Sequence, residues 1–432
     1  MTLLGQLSPQ PWMTASATRA VIAALTADGS PVRFVGGCVR DGLLQRPVRD
    51  VDIATPDPPD VVMSLLRRAG LKAVPTGVSH GTVTAVAEGQ PFQITTLRKD
   101  IACDGRHAEV GFTDDWEEDA ARRDFTFNAM SADPDGLVYD PFNGLHDLGA
   151  GIVRFVGVAR ERIEEDVLRI LRFFRFFAYY GAPPPNPTAL AACRAMAPRL
   201  SILSAERVRE EMVRILLAPD PANVMLLMNG AHVLEHVLPE AVDFGRLRLV
   251  AWLEDRGVRL EGVGPDPVRR LAALTRLDAE GALALATRLR LGNRDRARLV
   301  GLASVPPEDL PSSAMDPRAV RRSLDHLGAE RFRDLCLITW GGRKAVSERT
   351  NSSETRAWIT LLEAARDWSP PVFPLKGGDV IRAGVAGGPR VGAVLRDLRR
   401  WWLDEDFRPG RGDLLKRLAT LIPEPGGPAA TP

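Results

Sequence analysis

Cysteine is scarce in this chain, and its scarcity argues against two kinds of site. The 432 residues contain four cysteines, Cys38, Cys103, Cys193 and Cys336, which are far apart in the sequence. Without a pair of closely spaced cysteines, neither a zinc-binding motif nor a disulfide framework is expected. We therefore expect reduced thiols and a cytoplasmic location.

Long apolar segments and a strong net charge are also absent. No apolar run approaches the roughly 20 residues of a membrane-spanning helix, and the N-terminus has no signal-peptide pattern, so we expect no membrane association. The formal net charge is +1 at pH 7, so any binding to nucleic acid must come from local basic patches. Only five of the 56 basic residues are lysine. Arginine is the better ligand for phosphate, although a genomic bias would give the same ratio.

The length and the periodicity of apolar residues predict several domains in the α+β fold class. A single core rarely serves a chain of this length. Strand and helix patterns mix only near the N-terminus, and the polar segment 99–118 within that part is expected to be a long mobile loop. We predict a mixed α/β head, a helical neck, a helical body and a helical tail with a disordered C-terminus, at residues 1–157, 158–220, 221–345 and 346–432.

The segment Arg33–Thr55, RFVGGCVRDGLLQRPVRDVDIAT, combines two features of phosphate chemistry. Its glycine pair, ending in Gly37, lies between a predicted strand and a predicted helix, which offers backbone N–H groups and Arg40 to a phosphate. Asp50 and Asp52 are two residues apart and lie on one face of a predicted strand. Because adjacent carboxylates repel each other, they favour a bound cation, and oxygen ligands suit Mg²⁺. The segment predicts phosphoryl or nucleotidyl transfer.

Four further motifs follow this segment in the chain. They are RRDFTFNA at 122–129, DPFNG with DL at 140–148, EDVLRILR at 165–172 and LSAERVREEMVRIL at 203–216. Each alone is compatible with a charged helix face or a turn. Together, in this order and spacing, the five segments resemble motifs A to E of the class II nucleotidyltransferase superfamily, which contains the tRNA CCA-adding enzymes and the bacterial poly(A) polymerases. The segment 377–395 resembles that family more weakly.

The resemblance implies template-independent addition of CCA to the 3′ end of tRNA from CTP and ATP, with release of pyrophosphate. It implies that Asp50 and Asp52 are the catalytic residues and hold two Mg²⁺ ions. It also implies that Gly37 and Arg40 bind the triphosphate and that Arg122 contacts a phosphate or the sugar. The oligomeric state stays open.

Motif D predicts how the base is chosen. On one helix, Asp166 and Arg169 would project together, so that Asp166 accepts from an exocyclic amine and Arg169 donates to the ring edge. Cytosine and adenine match this pair, whereas uracil and guanine present the opposite pattern. Arg172 and Arg175 are further nucleotide-binding candidates. Since nine helical residues span about 13.5 Å, we expect Arg175 to contact phosphate or to brace the helix.

Several alternatives remain at this point. Poly(A) polymerases usually carry a GRRF-type segment after motif A, and GTVTAVAEG stands here instead, which favours tRNA as the substrate. The full-length segment before motif B favours complete CCA addition over CC-only or A-only addition. A non-catalytic RNA-binding module would be expected to lack a metal-binding carboxylate. His146-Asp147 could belong to an HD phosphohydrolase, but no other histidine has the matching spacing.

One position departs from the usual pattern of the family. Many relatives carry an acidic residue on the strand before the loop, where this chain has Gln93. A glutamine cannot provide a third carboxylate for the metal ions.

We expect RNA contacts in the helical part of the chain, where arginines gather around Trp401 and Trp402.

Overall fold

The chain forms two units of mutually contacting residues. The computed structural model describes residues 3–78, 81–103, 108–346 and 351–422. The first unit comprises Met1–Phe244 and Thr287–Leu291, and the second comprises Gly245–Ala286 and Gly292–Pro432. The C-terminal segment that was expected to be disordered, after Ile422, lies outside the described residues. The four-part division into head, neck, body and tail stays a prediction.

An eight-stranded mixed sheet forms the head of the first unit. Its strands lie in the order β1-β10-β9-β2-β3-β6-β5-β4. Only β3 and β6 pair in parallel, and the other neighbours are antiparallel. The strands are β1 Leu3–Gln6, β2 Arg33–Val35, β3 Asp52–Thr55, β4 Lys72–Gly77, β5 Thr82–Ala87, β6 Gln90–Thr96, β9 Ser131–Ala132 and β10 Leu137–Tyr139.

Strands β5 and β6 form a hairpin before the segment 99–118. In β5, every second residue is buried, as the alternation of β-branched and small residues predicts. Glu88 and Gly89 connect β5 to β6, and both have positive φ angles, 51° and 78°. Two successive positive φ angles are typical of a type I′ turn, which matches the twist of a two-stranded hairpin.

The segment 99–118 differs from the expected loop. Its described residues belong to a separate two-stranded sheet, β7 Arg98–Cys103 with β8 Ala108–Phe112, and to the start of helix α5, Trp116–Ala121. Few large apolar residues alternate in these strands, so the sequence carries little strand periodicity. The backbone pairing therefore could not be predicted from the pattern.

Helices cover the sheet and continue the first unit. Phenylalanines of α8 pack with Phe125, Phe127 and Phe155, which joins the helix to the head. The helices are α1 Pro11–Thr14, α2 Ser16–Leu25, α3 Gly37–Leu43, α4 Pro59–Arg68, α6 Gly144–Ala150, α7 Ala159–Glu165, α8 Arg169–Tyr180, α9 Pro187–Met196, α10 Ala205–Leu216, α11 Pro221–Gly230, α12 Leu234–Val237 and the beginning of α13 Phe244–Trp252.

Within the described residues, the regular elements of the second unit are helices, joined by loops. One apolar core surrounds the stacked rings of Trp340 and Trp358, and a second surrounds Trp402 and Leu414. After a π-helical turn at Leu253–Gly257, its helices are α14 Pro267–Leu274, α15 Ala279–Arg288, α16 Asn293–Ala303, α17 Pro317–Leu327, α18 Ala329–Val346, α19 Ser352–Arg366, α20 Gly377–Arg382, α21 Pro389–Asp404 and α22 Arg411–Leu421.

The predicted fold class, α+β with a mixed α/β head and a helical remainder, is confirmed. Within the ranges that the structure describes, no helix combines the length and the apolar character needed to span a bilayer.

Candidate active site

The glycine pair forms the turn between β2 and α3. Gly36 has φ 68° and ψ −122°, a conformation that residues with a side chain rarely adopt. A Cβ atom at this position would lie 3.3 Å from Nη1 of Arg123. Helix α3 begins at Gly37, so the turn brings bare backbone to the floor of a cleft, as predicted for a phosphate-binding segment.

Arg40 projects from α3 and is held on three sides. Its Nη1 donates to Oδ1 of Asn128 at 2.7 Å, and its Nε and Nη2 donate to the Asp41 carboxylate at 3.0 and 2.9 Å. The guanidinium lies 4.3 Å from the ring centre of Tyr180, whose hydroxyl also donates to Asp41. Arg40 is therefore oriented before any substrate binds.

The two motif A carboxylates are placed differently from each other. Strand β3 begins at Asp52, which pairs in register with Gln93 of β6. Asp50 lies two residues before the strand and is exposed. The prediction that both lie on the strand was therefore wrong for Asp50, because the parallel pairing with β6 begins only at Asp52.

The electrostatics of Asp52 favour a bound cation. Burial raises the pKa of Asp52, the nearby Asp50 carboxylate raises it further, and Arg123 opposes both effects. A cation would relieve the repulsion between the two carboxylates. In the part of the chain that the structure describes, no group of three or more His, Cys, Asp or Glu residues is placed to hold a metal ion. The side chains of Asp50 and Asp52 offer carboxylate oxygens, which suit a hard divalent cation.

Motif B contributes a buried carboxylate at the centre of a hydrogen-bonded chain. Oδ1 of Asp124 accepts from Nδ2 of Asn128 at 2.9 Å, and Oδ2 accepts from Nε of Arg172 at 2.7 Å. Because Asn128 also accepts from Arg40, the chain Arg172–Asp124–Asn128–Arg40 runs from α8 to α3.

Two neighbouring charged groups of this chain, Asp124 and Arg172, stabilise each other. Burial opposes the charged form of Asp124, but Arg172 and Asn128 outweigh burial, so the pKa of Asp124 is lowered. Burial likewise opposes the charged form of Arg172, and the Asp124 carboxylate outweighs it and raises the Arg172 pKa. Both groups are therefore charged at neutral pH.

Motif C shapes the backbone beside the cleft. Asp140 accepts from the backbone N–H groups of Gly144 and Leu145 at 2.7 and 2.8 Å. Asp147 is fully buried and accepts from Thr126 at 2.6 Å and from Nε of Arg154 at 2.8 Å. These bonds give Asp147 a structural role and leave the HD interpretation without support.

Motif D does not lie on one helix as predicted. Asp166 has φ −149° and ψ 105°, between α7 and α8. Its Oδ1 accepts from the backbone N–H of Leu168 at 3.1 Å, which favours a non-helical backbone at the aspartate. Nη1 of Arg169 donates to Glu165 at 2.6 Å, and Nη2 donates to the backbone oxygen of Arg122 at 2.9 Å.

Arg175 contacts the neighbouring helix α10. Its Nε lies 3.1 Å from Oε2 of Glu211, and both side chains are buried. Burial lowers the pKa of Arg175 to about 10, an effect that Glu211 opposes, and burial raises the pKa of Glu211. This contact supports the expected role of Arg175 as a brace of the helix.

One cleft of about 700 Å³ brings these motifs together. Every predicted site residue except Asp50 lines it. The lining consists of Gly36, Gly37, Arg40, Asp52, Arg122, Arg123, Asp124, Asn128, Asp166, Leu168, Arg169, Arg172, Arg175, Phe176, Tyr179, Tyr180, Arg207 and Arg214.

Three arginines that line the cleft were not predicted as site residues from the sequence. Arg123 is the second arginine of RRDFTFNA and pairs with Asp119 at 3.0 Å. Arg207 and Arg214 lie on α10, within the motif E segment. The signal for Arg207 was its place three residues after a helix-capping serine, but that spacing does not show which side chain the arginine contacts.

Comparison with known proteins agrees with the architecture. The family model "Poly A polymerase head domain" matches residues 32–154. The model "Probable RNA and SrmB- binding site of polymerase A" matches residues 185–244. Together with the glycine turn, the strand carboxylate and the arginine-rich cleft, these matches indicate a nucleotidyltransferase.

Individual relatives show which nucleotidyltransferases this chain resembles. "CCA tRNA nucleotidyltransferase 1, mitochondrial" of Danio rerio is 34% identical over 393 residues, covering 90% of this chain and 87% of the relative. The "CCA-adding enzyme" of Streptococcus sanguinis is 43% identical over 201 residues, covering 46% of this chain and 49% of the relative. A Bacillus stearothermophilus CCA-adding enzyme in complex with CTP superposes with a TM-score of 0.73 at 28% identity, covering 94% of this chain and 96% of that one. The chain belongs to the family of CCA-adding tRNA nucleotidyltransferases, as the motifs predicted.

Proposed function

We propose that this nucleotidyltransferase adds CCA to the 3′ end of tRNA, using CTP and ATP without a nucleic-acid template. The observation that carries the proposal is the single cleft in which Asp52, Arg40 and the pair Asp166 and Arg169 meet. A carboxylate for a metal ion, a guanidinium for phosphates and a donor–acceptor pair for a base edge are the parts that nucleotide addition requires. The names of the relatives support tRNA as the acceptor.

In the proposed reaction, the 3′ oxygen of the tRNA bonds to the α-phosphorus of the nucleotide, and the bond to pyrophosphate breaks. Enzymes of this superfamily generally use divalent metal ions. We assign Mg²⁺ to Asp50 and Asp52, where it would lower the pKa of the 3′ hydroxyl and neutralise charge on the triphosphate. Arg40 and Arg122, with the backbone at Gly37, orient the triphosphate.

Asp166 and Arg169 provide the proposed choice of base. The Asp166 carboxylate accepts from the N4 amine of cytosine or the N6 amine of adenine, and Arg169 donates to the adjacent ring nitrogen. Uracil and guanine would place a carbonyl against the carboxylate and an N–H group against the guanidinium. Because Glu165 and the backbone at Arg122 already hold Arg169, the pair is organised before the base arrives.

The test is nucleotide addition to tRNA transcripts that end before the first C, after one C or after two, each with CTP or ATP alone. We expect CTP to extend the first two transcripts, and ATP to extend only the last, by one residue. Asp52→Ala should abolish addition while tRNA binding persists, since the substitution removes a metal ligand and leaves the RNA-binding helices unchanged. Activity of Asp52→Ala would contradict the metal assignment.

The same assay separates the alternatives. Long adenosine tails on any RNA would identify a poly(A) polymerase, which the description of the matching head-domain model names. Extension by only CTP or only ATP would identify a partial enzyme. Binding of tRNA without any extension would identify an RNA-binding module, which the presence of both Asp50 and Asp52 argues against.

The identity of the metal and the location in the cell belong to the proposal as well. Activity restored by Mg²⁺ after chelation, and not by Zn²⁺, would support the assignment of Mg²⁺.

A cytoplasmic location is supported by the free, buried thiols of Cys38, Cys193 and Cys336. Relatives include proteins named as mitochondrial, so fractionation of the source cells is the appropriate test.

A further inference from the structure

The carboxylate of Asp166 is held by an arginine from another helix. Nη2 of Arg207 lies 3.1 Å from Oδ1 and 2.8 Å from Oδ2 of Asp166. The backbone N–H of Leu168 donates to Oδ1 from the other side at 3.1 Å. Two donors on separate elements therefore define the plane of this carboxylate.

Asp166 needs such a restraint because its own backbone does not provide one. It lies outside both flanking helices, and its side chain is 34% exposed. An aspartate carboxylate rotates broadly about its terminal torsion unless partners hold it. A rotating carboxylate would still attract an amine, but it would distinguish an amine from a carbonyl less sharply, since discrimination depends on a fixed direction of the lone pairs.

We propose that Arg207 is a positioning residue for base selection, which orients the Asp166 carboxylate toward the exocyclic amine of cytosine or adenine. The inference rests on the proposed function and extends it to a residue of motif E. Arg207 itself touches no base in this proposal and acts only through Asp166.

A purely structural role for Arg207 is poorly supported by its surroundings. The ion pair is 45% exposed on the arginine side, and pairs of this kind contribute little to stability. Helix α10 has other anchors: Ser204 caps its first turn, Glu206 pairs with Arg290 and Glu211 pairs with Arg175. We therefore expect Arg207→Ala to fold and to melt within a few degrees of the wild type.

The experiment compares Arg207→Ala, Arg207→Lys and the matched control Arg209→Ala. Arg209 lies on the same helix, contacts the backbone oxygen of Arg290 and does not line the cleft. The measurements are kcat/KM for CTP against UTP on tRNA ending in one C, and for ATP against GTP on tRNA ending in two.

We expect Arg207→Ala to lower both discrimination ratios on the order of tenfold, the equivalent of one well-directed hydrogen bond. Arg207→Lys should keep most of the discrimination, because a single nitrogen of Arg207 contacts both oxygens and an ammonium can replace it. The control should match the wild type. Unchanged ratios in Arg207→Ala, or an equal loss for all four nucleotides, would overturn the proposal.

A double variant tests whether Arg207 affects base selection through Asp166. In the background of Asp166→Ala, Arg207→Ala should cause no further loss of discrimination, whereas an additional loss would show that Arg207 acts by another path. A wild-type protein that fails to extend tRNA at all would refute the proposed function instead. The two failures are therefore distinguishable.

Discussion

The Asp166–Arg207 pair of the cleft and the Arg269 network of the second unit share their chemistry and differ in burial. In the second unit, Arg269 pairs with Glu254 at 2.5 Å and with Asp334 at 2.9 Å, and none of the three side chains is more than 2% exposed. In the cleft, Asp166 and Arg207 pair at 2.8 Å and are 34% and 45% exposed. The distances are alike, so burial is the main difference.

This difference separates pairs that hold the fold from pairs that can exchange partners. A buried ion left without its partner costs about 3–5 kcal/mol, whereas an exposed pair contributes about 0–1 kcal/mol. A nucleotide could therefore replace or share a partner of the exposed Asp166–Arg207 pair at little free-energy cost. The network in the second unit cannot open without unfolding its surroundings.

The largest effect is expected for Arg269→Ala. This substitution leaves Glu254 and Asp334 buried with one positive partner fewer, and we expect the free energy of unfolding to fall by about 3–5 kcal/mol. Urea denaturation measures the change, and CTP addition per folded molecule should stay close to that of the wild type. A loss below about 1 kcal/mol would contradict the comparison, because burial would then not determine how much an ion pair contributes to the free energy of unfolding.

An intermediate effect is expected for Asp124→Asn, which tests a buried pair inside the cleft. The amide keeps the shape but loses the charge that faces Arg172, so we expect about 1–3 kcal/mol less stability. Because the hydrogen-bonded chain to Arg40 is also altered, kcat should fall as well. Denaturation and steady-state kinetics on one preparation measure both changes. A variant with reduced kcat and unchanged stability would show that this pair behaves like the exposed ones.

A smaller effect concerns pH and Asp266, which caps α14 and pairs with Arg298 at 2.7 Å. Burial raises its pKa, but the Arg269 backbone N–H and Arg298 outweigh burial and lower it. A carboxylate with a lowered folded-state pKa stabilises the fold above its unfolded-state pKa of about 3.9, and this stability is lost as the pH falls through the folded-state value.

The corresponding variant is Asp266→Asn, which keeps a capping side chain without the charge. We expect the wild type to exceed the variant by about 1 kcal/mol at neutral pH. The difference between the two unfolding free energies should shrink as the pH falls below the unfolded-state pKa of about 3.9 and through the lower folded-state pKa. Denaturation curves at several pH values give the comparison, and a constant difference across the range would contradict the assignment.

The smallest effect is expected for Arg294→Ala. Arg294 is 83% exposed and pairs with Glu330 at 3.3 Å, so its removal should change the free energy of unfolding by less than about 0.5 kcal/mol. It serves as the exposed counterpart of Arg269→Ala under identical denaturation conditions. A loss comparable to that of Arg269→Ala would remove the distinction between the two classes of pair.

Much of the fold and the members of the cleft could be predicted from the sequence, whereas local conformation and partners could not. The five motifs identified the family. Of the site residues proposed from motifs A and D, all except Asp50 line the cleft. The helix predicted through Asp166 was wrong, because the aspartate side chain accepts from the backbone of Leu168 and competes with helix formation. Residues far apart in sequence, such as Asp166 and Arg207, meet without any periodic pattern that could have revealed the contact.

The chain from Arg172 through Asp124 and Asn128 to Arg40 mechanically connects the two ends of the cleft. Arg172 donates to the Asp124 carboxylate, Arg40 donates to the Asn128 amide, and Asn128 donates to Asp124, so the two guanidinium groups are coupled through these hydrogen bonds. A base that fits poorly beside α8 would therefore also disturb Arg40, the group proposed to orient the triphosphate. We expect incorrect nucleotides to react slowly even at saturating concentration, so that fidelity is expressed in kcat as well as in binding.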